Sequence, residues 1–325
     1  MELITIGKDI PLIGCIQFGL IIRDTNWVQI RATTVCNMKC KFCSTSANDF
    51  SLHPYNFVVE LNHLVHWAKQ ILPTISNEIE VNLDSVGEPT AYPQLIELIQ
   101  ELRKIKEVKK ISMQTNGTFL TKKLIDELQS AGLDRINVSL HSLKLSQAKE
   151  LFDKESYNLE KILEMVKYIT TNKNIELLLA PVYLPGVNED QIEEIIQLSK
   201  KLKCLIGIQK YEVYKYSRKY KKAKLLNWFK FREQLKKWEK KYDIKLTYQE
   251  IPKHAQKRVP KFPVMFKIGQ KMAAQIVAPG WHKNQMLAKA KERVITINNC
   301  KKEIHDLVNI KIIENAKNIY LAELV

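Results

Sequence analysis

Short β-rich runs alternate with amphipathic stretches through the first two thirds of the chain. In stretches such as 93–106, 121–130 and 188–203, apolar residues recur every three or four positions, which predicts helices that bury one face. Strand–helix alternation favours a parallel sheet with right-handed crossovers, so six such units predict an α/β fold. We expect a partial (β/α)6 TIM-like barrel, with an open sheet as the alternative. The six predicted strands are at residues 28–31, 79–83, 110–114, 135–140, 176–181 and 205–209.

The pattern changes after residue 209. Alternating runs at 273–278, 293–297, 307–313 and 319–324 are separated by polar or glycine-containing turns, without helical periodicity. This pattern predicts about five short strands in a small C-terminal all-β barrel of OB-like type. The chain is thus expected to comprise an N-terminal accessory segment, the partial barrel, a basic helical connector and the C-terminal barrel, at residues 1–25, 26–215, 216–262 and 263–325.

Charge narrows the classes of partner. The 325 residues have a formal net charge of +16, and residues 210–261 contain 18 Lys or Arg against 5 Asp or Glu. This excess favours a polyanionic partner, nucleic acid first and an anionic membrane surface second. No run approaches the ~18 apolar residues of a membrane span. Polar residues interrupt the apolar first 22 positions, so no signal peptide is expected and the expected location is cytoplasmic.

Three of the six cysteines lie within eight positions, directly after the first predicted strand. Cys36, Cys40 and Cys43 have Cys-x3-Cys-x2-Cys spacing. Three thiolates on a short loop can bind three irons of a 4Fe–4S cubane and leave the fourth iron open to a small molecule. A structural zinc site would need four ligands, and the nearest further candidate, His53, is ten residues away. The spacing therefore favours an iron–sulfur cluster.

The other three cysteines, Cys15, Cys204 and Cys300, are scattered along the sequence. A second cluster would need several cysteines close together, so none is expected. Buried apolar thiols are the commoner explanation of isolated cysteines. A catalytic thiol that carries a methyl group, at Cys204 or Cys300, is the alternative.

The cysteine loop, with Phe42 before the third cysteine, resembles the signature of the radical S-adenosylmethionine (SAM) superfamily. The resemblance extends over roughly residues 25–215. It implies a 4Fe–4S cluster whose open iron is chelated by the amino and carboxylate groups of SAM. Reductive cleavage of SAM then yields methionine and a 5′-deoxyadenosyl radical, with the electron supplied by a donor such as ferredoxin or flavodoxin.

A segment after the second predicted strand adds to this resemblance. Gly87, Glu88 and Pro89 resemble the GGEP segment of the superfamily, with Val86 in place of the first glycine. The resemblance implies that the extended backbone here binds the ammonium group of SAM. A plain turn is the alternative explanation of a Gly-Glu-Pro sequence.

Three further residues stand where the superfamily contacts SAM. Asn116 follows the third predicted strand and is expected to reach the ligand or, alternatively, to form an Asx turn. Ser139, at the end of the fourth strand, matches the position that contacts the ribose or carboxylate of SAM. Gln209 closes a segment that resembles the one framing the adenine. His141 is expected to contact substrate or, equally, to serve as a structural histidine.

The basic stretch also contains aromatic residues, which can stack on unpaired bases while lysines contact phosphates. Lys219, Lys221 and Lys222 are the predicted RNA contacts. The alternative is a helical core stripe with a solvated charged face, because four apolar residues of the stretch recur at helical spacing. These four are Trp228, Phe231, Leu235 and Trp238.

Resemblances at the level of the whole chain bear on the substrate. The C-terminal 65 residues, 261–325, resemble a TRAM module, an RNA-binding domain of several tRNA-modifying radical SAM enzymes. The chain resembles an archaeal family of predicted Fe–S oxidoreductases. Stretches 134–142 and 180–189 resemble the methanogen radical SAM enzyme that methylates a protein arginine. We therefore expect tRNA or another RNA as substrate, with a protein residue as one alternative and a redox-sensing Fe–S nucleic-acid-binding protein as another.

Overall fold

The computed structural model describes residues 2–171, 174–246 and 257–325. The chain forms two compact units that interleave along the sequence. The terminal unit consists of Met1–Asn37, Ala47–Ile111 and Lys257–Val325, and the central unit of Met38–Ser46 and Ser112–Gln256. The predicted division at residues 25, 215 and 262 is linear. As a statement of which segments fold alone it stays a prediction, and residues 247–256 of the predicted connector lie outside the described part.

The N-terminal part of the terminal unit is α/β. It consists of β1 (Glu2–Ile6), β2 (Gly19–Ile22), β3 (Trp27–Arg31), β4 (Tyr55–Val59), α1 (Leu61–Ile75), β5 (Ile79–Leu83) and α2 (Leu95–Arg103). β3 pairs in parallel with β5, and β2 pairs antiparallel with β3 at the edge of the chain's seven-stranded sheet. β1 and β4 form a separate parallel pair. The first 25 residues, predicted as an accessory segment, thus supply a strand of the main sheet.

The central unit continues the strand–helix alternation. Its elements are β6 (Val108–Thr115), α3 (Lys122–Ser130), β7 (Arg135–Val138), α4 (Leu145–Phe152), α5 (Leu159–Thr171), β8 (Glu176–Leu179), β9 (Val182–Tyr183), α6 (Glu189–Leu202), β10 (Leu205–Ile206), β11 (Gln209–Lys210) and α7 (Trp228–Tyr242). β6, β7, β8 and β10 are neighbours in that order, and their pairs are parallel. Strands are present at all six predicted positions. The sixth ends at Ile206, however, and Gln209 lies on the separate strand β11.

Local signals set the helix ends as the sequence predicts. The Thr121 hydroxyl accepts the Leu124 N–H at 3.1 Å and begins α3, while Gly132, at φ 101°, lies just beyond its end. In α7, Phe231, Leu235 and Trp238 are buried. The core-stripe alternative therefore accounts for these three residues of the basic stretch.

The C-terminal part of the terminal unit is a closed five-stranded barrel, as predicted. Its strands are β12 (Lys271–Pro279), β13 (Gln285–Ala290), β14 (Arg293–Asn298), β15 (Leu307–Glu314) and β16 (Leu321–Leu324). They close in the order β12-β13-β14-β16-β15, with β14 and β16 parallel and the other pairs antiparallel. Alternate residues such as Ile276, Ile295 and Ile310 fill its core.

The barrel packs against the N-terminal segment of the same unit. The Val294 N–H donates to Ile13 O at 2.9 Å, and the Tyr320 N–H donates to Gly14 O at 2.8 Å. A Cβ on Gly14 would lie 1.9 Å from Val294 O. Deleting residues 261–325 would therefore uncover Ile13, which is buried, so point substitutions test the barrel more cleanly than truncation does. Within the described part of the chain, no helix is both long and apolar enough to cross a bilayer.

Candidate functional site

The cysteine loop follows β3, with Cys36 in the terminal unit and Cys40 and Cys43 in the central unit. All six cysteines are free, and these three are partly exposed. Among the described residues, no three Cys, His, Asp or Glu side chains converge as ligands of a single metal ion. A cubane does not require that convergence, because each thiolate binds its own iron. The donor set therefore fits a cluster better than a single ion.

The remaining cysteines lie in different surroundings. Burial raises the pKa of the Cys15 thiol to about 12 and that of Cys204 to about 11. Cys300 is buried in the core of the C-terminal barrel. A thiol that stays protonated is a poor nucleophile and a poor metal ligand. These environments favour structural thiols over the methyl-carrying alternative.

Arg218 holds the second half of the cysteine loop, a role that the sequence did not indicate. Its guanidinium donates to Cys40 O and Ser46 O, both at 3.2 Å, and its backbone N–H donates to Cys43 O at 2.9 Å. We had counted this residue among the basic residues expected to face RNA. Its partner Cys40 is 178 positions away in sequence, so no local pattern could have revealed the contact.

Phe42 packs into the central unit instead of facing solvent. It belongs to a buried cluster with Leu151, Leu184, Tyr211 and Tyr220. Two tyrosines of the basic stretch are therefore core residues beneath the cysteine loop. They are not available to stack on bases.

His141 resolves to its structural alternative. Its ring lies edge-on to Phe42, with centroids 4.8 Å apart, and its Nδ1 accepts the Val182 N–H at 3.0 Å. Only 3% of the residue is exposed. Burial lowers the pKa of His141 to about 3, so the ring is neutral at physiological pH. The residue supports the cysteine loop through Phe42.

The depressed pKa of His141 predicts a pH dependence of stability. In the unfolded chain the histidine should titrate near 6.5. Between pH 6.5 and 3 the unfolded state therefore binds a proton that the folded state does not, and the free energy of unfolding falls as pH falls. From pH 7 to pH 5 this loss is about 2 kcal/mol.

Urea unfolding of the wild type and of His141→Gln at pH 7 and pH 5 tests this expectation. Glutamine keeps an acceptor for Val182 but cannot be protonated in this range. The variant should therefore lose about 2 kcal/mol less than the wild type over the same interval. Equal losses would mean that His141 titrates normally in the folded protein.

The Gly87–Pro89 segment lies against the start of the cysteine loop within the terminal unit. The Glu88 N–H donates to Val35 O at 2.8 Å. A Cβ on Gly87 would lie 2.3 Å from both Thr34 O and Val35 O. Glycine is thus required for packing against the loop itself, whereas the sequence had suggested only close approach to SAM. The Glu88 carboxylate accepts the Thr90 N–H at 3.1 Å and so is held in place.

An ion pair that the sequence did not predict lies at the carboxyl ends of β3 and β5. Arg31 Nε is 2.7 Å from Asp84 Oδ1, and the two side chains expose 8% and 16% of their surfaces. Gln29 also donates to the Asp84 carboxylate. Asp84 follows a strand at the face where barrel enzymes place their chemistry, but its charge is already paired.

The other predicted SAM contacts belong to the central unit. The Asn116 carbonyl accepts the Thr118 N–H at 3.0 Å, which is the Asx-turn alternative. Ser139 follows β7, and its hydroxyl accepts a hydrogen bond from Gln114 at 2.9 Å. The Gln209 side chain is exposed on β11. Their contacts to SAM stay predictions.

The predicted RNA contacts are not equivalent. Lys219 and Lys221 are exposed. Lys222 pairs with Glu150, with Nζ and Oε1 2.6 Å apart. Part of its charge is therefore already neutralised, and Lys219 and Lys221 are the better candidates.

The fold and the loop define a class: α/β proteins with a three-cysteine loop after the first parallel strand. The chain belongs to the radical SAM superfamily, whose sequence profile matches residues 30–199. The superfamily uses a 4Fe–4S cluster and SAM, which confirms the predicted cofactors. Membership supports an enzyme over the redox-sensing alternative.

Relatives and similar structures agree with this assignment. An uncharacterised protein of Methanocaldococcus jannaschii is 38% identical over 99% of this chain and 80% of its own length. GTP 3′,8-cyclase of Clostridium perfringens is 29% identical over 55% of this chain and 53% of the cyclase.

Among solved structures, Streptococcus suis SuiB bound to S-adenosylmethionine has a TM-score of 0.52 at 18% identity, covering 70% of this chain and 50% of SuiB. The hydrogenase maturase HydG of Carboxydothermus hydrogenoformans has a TM-score of 0.54 at 16% identity, covering 66% of this chain and 52% of HydG. At these identities the structures show the fold alone. The chain spans about half the length of the cyclase and of both structures.

Proposed function

We propose that this enzyme modifies tRNA by radical chemistry in the cytoplasm. The observation that carries the proposal is the concentration of charge in residues 210–261, where 18 Lys or Arg stand against 5 Asp or Glu. Such a stretch attracts a polyanion strongly. Lys219 and Lys221 of this stretch are exposed. Lys222, the third predicted contact, contributes less because Glu150 is its partner.

The C-terminal barrel supports the same proposal. It has five strands closed in the order β12-β13-β14-β16-β15. Five-stranded barrels of OB type bind oligonucleotides on their second and third strands and adjoining loops. We therefore propose that residues 263–325 are an OB-like, TRAM-like module that contacts the RNA.

The residues proposed for the cofactors have separate tasks. Cys36, Cys40 and Cys43 would each bind one iron. The bound cluster and SAM supply reductive cleavage of SAM to methionine and a 5′-deoxyadenosyl radical, with an electron from ferredoxin or flavodoxin. Phe42 and Arg218 anchor the loop to the central unit.

SAM itself is proposed to contact four groups of the chain. The backbone of the Gly87–Pro89 segment, including Glu88, would accept the SAM ammonium. Asn116, Ser139 and Gln209 would contact its remaining polar groups. Carbonyl and amide groups held by the fold in this way cost little entropy on binding.

A protein residue is the second candidate substrate. The observation in its favour is the similarity in fold to SuiB, which has been solved bound to its precursor peptide SuiA, with a TM-score of 0.53. The exposed aromatic and basic side chains of residues 210–246 fit RNA better than a peptide without acidic residues. We therefore place tRNA first.

Mass spectrometry of tRNA nucleosides tests the proposal. A strain that lacks the gene should lack one modified nucleoside that the wild-type strain contains. The wild-type gene should restore the nucleoside and the Cys36→Ala variant should not, because it lacks one iron ligand. Identical nucleosides in both strains, together with a modified peptide missing from the deletion strain, would make the protein residue the substrate.

A further inference from the structure

Three exposed apolar side chains cluster at the start of α7, inside the basic stretch. Leu225, Trp228 and Phe229 expose 53%, 53% and 69% of their surfaces. We call these three residues the aromatic platform. By contrast, Trp238 on the same helix is buried, and its indole N–H donates to Glu193 Oε1 at 3.0 Å. An exposed apolar cluster within a charged surface commonly marks an interaction site.

Cations surround the platform. Lys210 Nζ lies 5.1 Å from the centre of the Trp228 ring, and the Arg232 guanidinium carbon lies 6.0 Å from it. Residues 219–232 contain six Lys or Arg and no Asp or Glu. The local chemistry is therefore that of an aromatic surface within a field of positive charge.

The position of these cations does not stabilise the helix. The N-terminus of a helix carries partial positive charge and favours acidic side chains. The first turn of α7 contains no acid, Asn227 caps the Lys230 N–H at 2.8 Å, and Arg232 follows within the same region. A bound polyanion would offset this unfavourable accumulation of charge.

We propose that the aromatic platform stacks an unpaired base of an RNA strand while the lysines around it contact the adjoining phosphates. The inference rests on the proposed tRNA substrate and names the part of the chain that distinguishes unpaired from paired RNA. Trp228 offers a flat ring whose orientation is held by two cations, and every base presents a π-face to it. A membrane surface would need a broader apolar face, but Phe231, Leu235 and Trp238 are buried in the protein.

Fluorescence anisotropy with the full, cluster-loaded chain tests the platform. The probes are a labelled 12-nucleotide oligouridylate and an RNA duplex with the same number of phosphates. Trp228→Ala should weaken binding of the single strand about tenfold or more, because one base loses its stacking partner. Trp228→Phe should retain most of the affinity, and binding of the duplex should not change.

Two controls separate stacking from charge. Phe50→Ala removes an aromatic residue that is 62% exposed and lies outside the basic stretch, so it should leave both affinities unchanged. Lys219→Glu and Lys221→Glu should each lower the log–log salt slope by roughly 0.7–0.9, with the single strand and the duplex weakened alike. Trp228→Ala should leave that slope as it is.

The outcomes distinguish the platform from the proposed function. If tRNA binds but Trp228→Ala changes nothing, or weakens both probes equally, the platform is refuted and the tRNA proposal stands. If heparin displaces tRNA as readily as tRNA displaces itself, the tRNA proposal fails and the platform fails with it. Loss of binding to phosphatidylglycerol vesicles in Trp228→Ala, without loss of RNA binding, would assign the surface to a membrane instead.

Discussion

Anaerobic reconstitution should load about four irons and four sulfides per chain, and changing Cys36, Cys40 or Cys43 to Ala should abolish that loading. Each of these thiolates is the proposed sole protein ligand of one iron. Removing one leaves two irons without any protein ligand, and a cubane held at two corners is not retained. Iron and sulfide analysis after gel filtration, together with the visible absorption of the cluster, measures the effect.

Cys204→Ala is the matched control for this prediction. Cys204 is also partly exposed, but burial raises the pKa of its thiol to about 11, so it stays protonated. The variant should bind as much iron as the wild type. Loss of iron on changing Cys204, or retention of the full cluster without Cys40, would refute the ligand assignment.

Changing Gly87 to Ala should reduce reductive SAM cleavage about a hundredfold. The added Cβ would lie 2.3 Å from Thr34 O and Val35 O. Backbone carbonyls cannot rotate away as a side chain can, so the start of the cysteine loop must shift. Misplacement of a reacting group by about 1 Å costs on the order of a hundredfold in rate. The 5′-deoxyadenosine formed with dithionite, without substrate, measures cleavage.

Gly7→Ala supplies the comparison. A Cβ there would meet only the carboxylate of Glu60, at 3.1 Å, and a flexible side chain can move. This variant should cleave SAM as the wild type does. Iron content of Gly87→Ala, measured in parallel, shows whether the loop still assembles a cluster. Wild-type cleavage by Gly87→Ala would remove the role proposed for the Gly87–Pro89 segment.

Periodicity predicted the α/β part because the relevant information is local. Each of the six predicted strands coincides with a strand, and α3 begins at the predicted cap residue Thr121. The missed strand β2 consists of only four residues, too short for a period to be recognised. The sixth strand was predicted too long because residues 205–209 read as one apolar run, whereas the chain leaves the sheet after Ile206.

Where the sequence left two explanations open, packing decided between them. Asn116 forms an Asx turn, and His141 is buried with its Nδ1 bonded to the backbone. Among the aromatic residues of the basic stretch, Tyr211 is buried beside Phe42, while Trp228 is exposed. Helical spacing cannot separate these fates, because a stripe and a platform share the same period.

The sequence by itself determined the order of strands and helices, the three-cysteine spacing and the basic charge of residues 210–261. Each of these depends on residues that are close together along the chain. Only the tertiary structure decided that Arg218 holds the cysteine loop, through Ser46, 172 positions away, and through Cys40. It also decided that the first 25 residues complete the main sheet and the wall of the C-terminal barrel. Contacts between distant segments depend on the whole packed chain, and no local period records them.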